Sequence, residues 1–401
     1  MSSISKHLAA MTLTAFGLAA HADDQPALER WRSYAGVSWE QAPNGADPVA
    51  FAGSVKAPIA GIHFDGQGAA YVSTPRLLSD GAPATISRLD TGGRTGPARL
   101  TAFPSLRAND ITAPVQTSLR NVLGFHVDRR NGWLWALDLG FVAAEQESPP
   151  GAQKVLVLDL ASGRVVKCIP LDGVADRKAS FLNDIAVDEH RRVAYLSDSG
   201  LRSAPDNAAG LIVVDFASGR SWRVLDRHPS LMPRPGVQVV AHGRDVWPGH
   251  PMMLGINGIA LSPDAAVLYW SVTTGTHVYS VPTALLRDPQ TGTGAIAAHV
   301  RDLGDVGGNT DGIVTDAAGA LYITDVTHNG IVRYDPTTAA MARLASSDGV
   351  HWPDTVAIHP NGDLVFTASK LDQHFAGAVK NGDERYELWR LPLQRAGQAR
   401  P

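Results

Sequence analysis

Gly61-Ile62-His63-Phe64-Asp65, followed after a glycine-bearing turn by Ala70-Tyr71-Val72-Ser73, alternates along both arms and so reads as a β-hairpin with one buried face. The same pattern returns at Gly124-Phe125-His126-Val127-Asp128 with Leu134-Trp135-Ala136-Leu137, and at Asp184-Ile185-Ala186-Val187-Asp188 with Ala194-Tyr195-Leu196-Ser197. It returns again at Gly258-Ile259-Ala260-Leu261-Ser262-Pro263 with Leu268-Tyr269-Trp270-Ser271, and at Gly312-Ile313-Val314-Thr315-Asp316 with Leu321-Tyr322-Ile323-Thr324. The last copy is Thr355-Val356-Ala357-Ile358-His359-Pro360 with Leu364-Val365-Phe366-Thr367. Intervals of roughly 45–75 residues leave room for two more strands per copy. Such outer pairs stand at Lys154–Asp159 with Ser162–Val166, and at Gly210–Asp215 with Ser218–Val224.

Six four-stranded units predict an all-β, six-bladed β-propeller, because a closed ring hides every sheet face and leaves only short edges. The propeller is expected over residues 51–395 as one domain, with a 23–50 arm closing or bracing the last blade. A Pro-rich insertion from His228 to Met253 falls between the third and fourth copies, and loops of that length tend to cover a site or a partner surface.

Residues 1–22 carry Lys6 and His7, an apolar run from Leu8 to Ala20, and the small-residue end Ala20-His21-Ala22 before Asp23-Asp24. That layout reads as a signal peptide cut after Ala22, which implies a periplasmic or secreted protein. The run is too short to span a bilayer, and no later segment is apolar for long enough.

The 401 residues are 44% hydrophobic and 18% charged, ample for a large core. Cys168 is the only cysteine, so neither an internal disulfide nor a thiolate metal site can form. A formal charge of −4 without a basic block excludes nucleic acid and anionic membrane as partners and leaves a small molecule. There is no G-x-S-x-G elbow, no G-x-G-x-x-G after a strand and no P-loop, so no nucleotide cofactor is expected.

Five residues before the turn of each hairpin stand Ala60, Leu123, Asn183, Asn257, Asp311 and Asp354. Equivalent positions on innermost strands converge on the ring axis, which puts four oxygen-bearing side chains in one small volume. Oxygen-only donors with two carboxylates suit Ca²⁺ or Mg²⁺, with Asn183, Asn257 and Asp311 as ligands. Asn and Asp at such places also cap strand turns. Asp311 and Asp354 are the candidate catalytic groups, as ligand or proton acceptor. His126 on an inner strand, with Trp352 and His328 in turns, are candidates for the substrate pocket, whereas Asp184, Asp198 and Asp325 read as turn anchors.

Phe181–Asp188, Ala194–Gly200, Gly210–Asp215 and Gly219–Leu225, with Tyr279–Arg287 and Trp352-Pro353-Asp354-Thr355, together resemble the major royal jelly protein/Yellow family. The resemblance implies a small-molecule ring of the dopachrome-tautomerase-related type, in a family that also holds storage and amine-binding proteins. Asn257–Ser262 and Asp311–Asp316 locally resemble gluconolactonase-type propellers. There the equivalents of Asn183, Asn257 and Asp311, with a glutamate in the first blade, hold a divalent metal. Ala60 stands where that glutamate would be. Isomerase-like chemistry or binding, metal-dependent lactone hydrolysis, and a non-catalytic interaction scaffold all remain open at this point.

Overall fold

The computed structural model describes residues 27–40, 51–93 and 95–393. The expected cleavage site lies outside these residues. Six sheets surround one axis, and five follow the up-and-down order in which each strand pairs antiparallel with the next. The inner strands are Ile62–Phe64, Val122–Asp128, Leu182–Asp188, Ile256–Leu261, Thr310–Thr315 and Pro353–Ile358, which we number blades 1 to 6.

The ring closes through the arm. Glu29–Tyr34 forms the outer strand of blade 6 against Tyr386–Leu391, and the chain then crosses to blade 1. There Val37–Trp39 runs parallel to Ala98–Ala102 and makes that sheet five-stranded. Tyr34, Trp39, Tyr386 and Leu388 share one buried cluster with Ile62, Phe64 and Val72, so the seam is fastened by packing as well as by hydrogen bonds. Similar clusters fill the other wedges between blades. Between blades 3 and 4, Trp270 is fully buried and its indole donates to the Ser230 carbonyl at 2.8 Å. Truncating such a ring to alanine costs about 3–5 kcal/mol.

One local feature positions the site. The inner strands of blades 2 to 6 each lose register with their partner near the start, between Val122 and Phe125, Leu182 and Ile185, Ile256 and Ile259, Thr310 and Ile313, and Pro353 and Val356. A bulge of this kind re-aims side chains, and the axial residues of blades 2 to 6 read from the sequence, Leu123, Asn183, Asn257, Asp311 and Asp354, all sit in it. Glycine follows in blades 2, 4 and 5 because the neighbouring strand passes too close for a Cβ. A side chain at Gly258 would strike the Asp311 carbonyl, and one at Gly312 the Asp354 carbonyl.

The Pro-rich insertion folds onto the ring. It makes a small hairpin, Val240–Ala241 with Arg244–Asp245. Val239, Ala241, Val246, Met252 and Leu254 pack with Ala60, Leu123 and Trp352 at the end of the channel where the inner strands begin. The two apolar axial positions are therefore explained as seats for this plug. Among the described residues no helix is long and apolar enough to cross a membrane.

Candidate functional site

The bulges bring Asn183, Asn257 and Asp311 into one hydrogen-bonded chain. Asn183 Nδ2 donates to Asn257 Oδ1 at 2.6 Å, and Asn257 Nδ2 donates to Asp311 Oδ1 and, at 2.6 Å, to Thr273 Oγ1. The Trp352 indole donates to the other Asp311 oxygen at 2.7 Å. Asp354 stands on the next blade, buried, and its Oδ2 has no hydrogen-bond partner. Buried polar atoms are nearly always satisfied, so this oxygen marks a place that a proton or a ligand completes.

Asp184 joins them from the residue that is glycine in blades 1, 2, 4 and 5. Its carboxylate accepts from the Ile185 N–H at 2.8 Å and, across the interblade gap, from the Ile259 N–H at 3.1 Å. Among the described residues no Lys or Arg forms an ion pair with Asp184, Asp311 or Asp354. The result is a group of acids held in low dielectric without a counter-charge. Burial pushes Asp184 up from 3.8 to about 6, against the pull of its two backbone N–H donors and of His126. Burial likewise raises Asp311 to about 7, opposed by the donors Trp352 and Asn257 and reinforced by the charge of Asp184. Asp354 is raised well above the ordinary value, by burial and then by repulsion from Asp311 and Asp184.

Above these groups lies a cavity of about 690 Å³ that runs along the axis to the hairpin-turn end of the ring. Asp184, Asp354, Asn183 and Asn257 line it, whereas Asp311 lies behind Asn257 and Trp352 and does not. Short apolar side chains, among them Ala186, Ile259, Ile313 and Val356, make the walls. Near the mouth His126 bonds Glu189 at 3.0 Å, and the His126 and His63 rings lie 5.6 Å apart. Burial, with the nearby His126 and Arg129, holds His63 well below the usual imidazole value, so it stays neutral.

The structure thus brings together Asn183, Asn257, Asp311 and Asp354 and places His126 on the cavity wall. It does not bring His328 there. That side chain sits in a blade 5 turn, 3.0 Å from Asp325 and bonded to Arg343. Trp352 is also outside the cavity lining: a backbone φ of 57° turns its ring toward Asp311 and the plug, so it serves the acid rather than the pocket. Asp198 and Asp325 anchor chain turns, through Phe181, Gly200 and Arg223, and through His328 and Arg343. Asp184 departs from that reading. The signal for it was present, as an Asp in the register where four of the other five copies read Gly.

Among the described residues no group of three or more His, Cys, Asp and Glu stands so as to hold a metal ion. A cation here would rest on the mixed set Asn183, Asn257, Asp311 and Asp354, which are hard oxygen donors once the amides turn their oxygens inward. The partnerless Asp354 oxygen and the lack of a counter-charge fit such an ion, with Ca²⁺ or Mg²⁺ the matching type.

Comparison with known proteins places the chain in a family. The family model described as Major royal jelly protein matches residues 121–401. No curated protein matches the chain. Among solved structures, a gluconolactonase from Xanthomonas campestris is similar with a TM-score of 0.51 at 15% identity, covering 84% of this chain and 86% of that one. A luciferin-regenerating enzyme is similar with a TM-score of 0.50 at 12% identity, covering 85% of this chain and 92% of that one. At these identities the likeness concerns the fold.

Proposed function

The chain belongs to the major royal jelly protein family, and from that premise we propose that it is an exported protein that takes a small molecule into its axial cavity and moves a proton on it, in the manner of a tautomerase. The observation that carries this reading is the group of three buried acids without a counter-charge, two of which face the cavity. Environments that push neighbouring carboxyls apart assign their roles. Near neutral pH Asp184, at about 6, is mostly ionised and can accept a proton from carbon. Asp354, raised well above the ordinary value by burial and by the charges of Asp311 and Asp184, is the group suited to give a proton to a developing oxyanion. Asp311, at about 7, acts on Asp354 by repulsion and so tunes the donor rather than touching substrate.

A second reading is divalent-cation-dependent lactone hydrolysis, favoured by the oxygen donors Asn183, Asn257 and Asp311 joined in one chain of contacts. A bound cation would supply charge stabilisation for an oxyanion. The chain's own groups would hold the ion and orient the lactone. The scaffold reading has no such support, since the apolar side chains of the insertion are spent on the ring.

The test is turnover by the chain from Asp23 onward, with and without chelator, on dopachrome and on a sugar lactone. Dopachrome conversion in chelator that Asp184→Asn abolishes supports the first reading. Lactone hydrolysis that needs added Ca²⁺ or Mg²⁺ supports the second. Inertness toward both substrates in both conditions overturns a catalytic role.

A further inference from the structure

Tautomerisation leaves a proton on Asp184, and with the strand-start end plugged that proton departs past the hairpin turns. Asp184 lies against blade 2, where a Cβ on Gly124 would come within 3.1 Å of its Oδ1. His126 stands two residues along that strand toward the mouth and also lines the cavity. At about 3.4 Å per residue the step is roughly 7 Å, which one water or one oxygen of a bound ligand spans.

Glu189 of blade 3 fixes the imidazole. Its Oε1 lies 3.0 Å from His126 Nε2, and its Oε2 accepts the Arg130 N–H at 3.1 Å. Burial raises Glu189, but the hydrogen bond and charge of His126 outweigh it and hold the carboxyl below its ordinary value. An ionised Glu189 makes Nε2 the protonated nitrogen and leaves Nδ1 as an acceptor. Among the described residues no group bonds that Nδ1. The His126 and Glu189 side chains are 21% and 28% exposed, so the pair runs from the cavity to solvent. From blade 1 the neutral His63 faces His126, and Arg129 on the blade 2 turn acts on both His63 and Glu189 while also feeling Asp65. A base oriented by an ionised carboxylate is an arrangement suited to moving protons.

We propose that His126 carries the proton of Asp184 out to solvent and that Glu189 orients it and steadies its charged form. This rests on the reading of Asp184 as the group that takes a proton from carbon. The C–H bond breaks as Asp184 gains the proton, and the electron pair passes through the conjugated system to the substrate oxygen, which takes the Asp354 proton. Asp184 then gives its proton to His126 Nδ1, Glu189 balances the imidazolium, and the imidazolium releases the proton to water at the mouth. A proton from water restores Asp354. One proton enters for each that leaves, and no oxidant or further reactant is needed.

The test joins NMR titration of the His126 ring and the Asp184 carboxyl, in chelator, with dopachrome turnover. Asp184→Asn should lower the His126 midpoint, and His126→Gln should raise the Asp184 midpoint above about 6. Each should move by about one to two pH units, as for unit charges roughly 7 Å apart at an effective dielectric near 20. His126→Gln should also lower kcat about tenfold or more at unchanged KM. Its pH profile should shift up with Asp184, and added imidazole should restore turnover, which it would not do for a misfolded chain. Glu189→Gln should lower kcat less. Midpoints that ignore each other overturn the path and leave the reading of Asp184 in place. So does a His126→Gln protein with wild-type kcat while Asp184→Asn is inactive. A wild-type protein that does not convert dopachrome overturns that reading, and the path falls with it.

Discussion

Replacing Asp354 by Asn keeps shape and removes one ionisable group from the axis, so it should change stability in a pH-dependent way. The acids of the site have folded-state values above their unfolded ones. Such groups bind protons more tightly when folded. Their penalty is absent below about pH 4, grows as pH rises past the unfolded value, and is complete once pH exceeds the folded value. For Asp311, from 3.8 to about 7, the rise corresponds to roughly 4 kcal/mol at 1.36 kcal/mol per unit. Asp354 is also raised well above 3.8 and repels Asp311, so its removal relieves its own penalty and part of its neighbour's, with the Asp311 figure setting the scale. In chelator the variant should gain on the order of 3–4 kcal/mol at pH 8.5 and about nothing at pH 4, where Asp and Asn are both neutral. For 401 residues the unfolding entropy makes about 1 °C per kcal/mol, so Tm should rise by roughly 3–5 °C at pH 8.5. Thermal melts across pH 4 to 9 read this directly. A loss of stability at pH 8.5, or the same shift at pH 4, would refute the electrostatic account.

Further outcomes follow from single contacts. Asp184→Asn should lower tautomerase kcat by about 10²-fold or more and abolish the limb of the pH profile that rises through about 6. Trp352→Phe deletes the 2.7 Å donor to Asp311, so it should push that acid further up and cost about 1 kcal/mol in a chemical melt at pH 8. Asp311→Asn, which removes a charge at constant size, should weaken any Ca²⁺ or Mg²⁺ binding seen by calorimetry, and equal heats in both proteins would remove the second reading. Amino-terminal sequencing of exported material should give Asp23 as the first residue, and a start at Met1 would end the export proposal.

The ring was legible because each inner hairpin carries its own alternation and turn, signals that lie within a dozen residues. Counting back from the turn found Asn183, Asn257, Asp311 and Asp354, since each blade repeats the same distance. The same count missed Asp184. Strict alternation puts adjacent residues on opposite faces, but the bulge between Leu182 and Ile185 suspends that rule, and Asp184 and Asn183 both line the cavity. Which end of the channel is open could not be read either, because it depends on where residues 228–253 fold and no local pattern specifies that. His328 shows the same limit: a turn residue's reach is set by tertiary partners, here Asp325 and Arg343. The parallel pairing of Val37–Trp39 with blade 1 likewise joins segments far apart in sequence.

The central claim is that the axial acids titrate well above the ordinary carboxylate value with no cation present. Titration of the side-chain carboxyls by ¹³C NMR on aspartate-labelled, chelated protein tests it, with Asp184→Asn, Asp311→Asn and Asp354→Asn for assignment. The account predicts Asp184 at about 6, Asp311 at about 7 and Asp354 well above the ordinary carboxylate value. Three carboxyls all titrating near the ordinary value of 3.8 would contradict it.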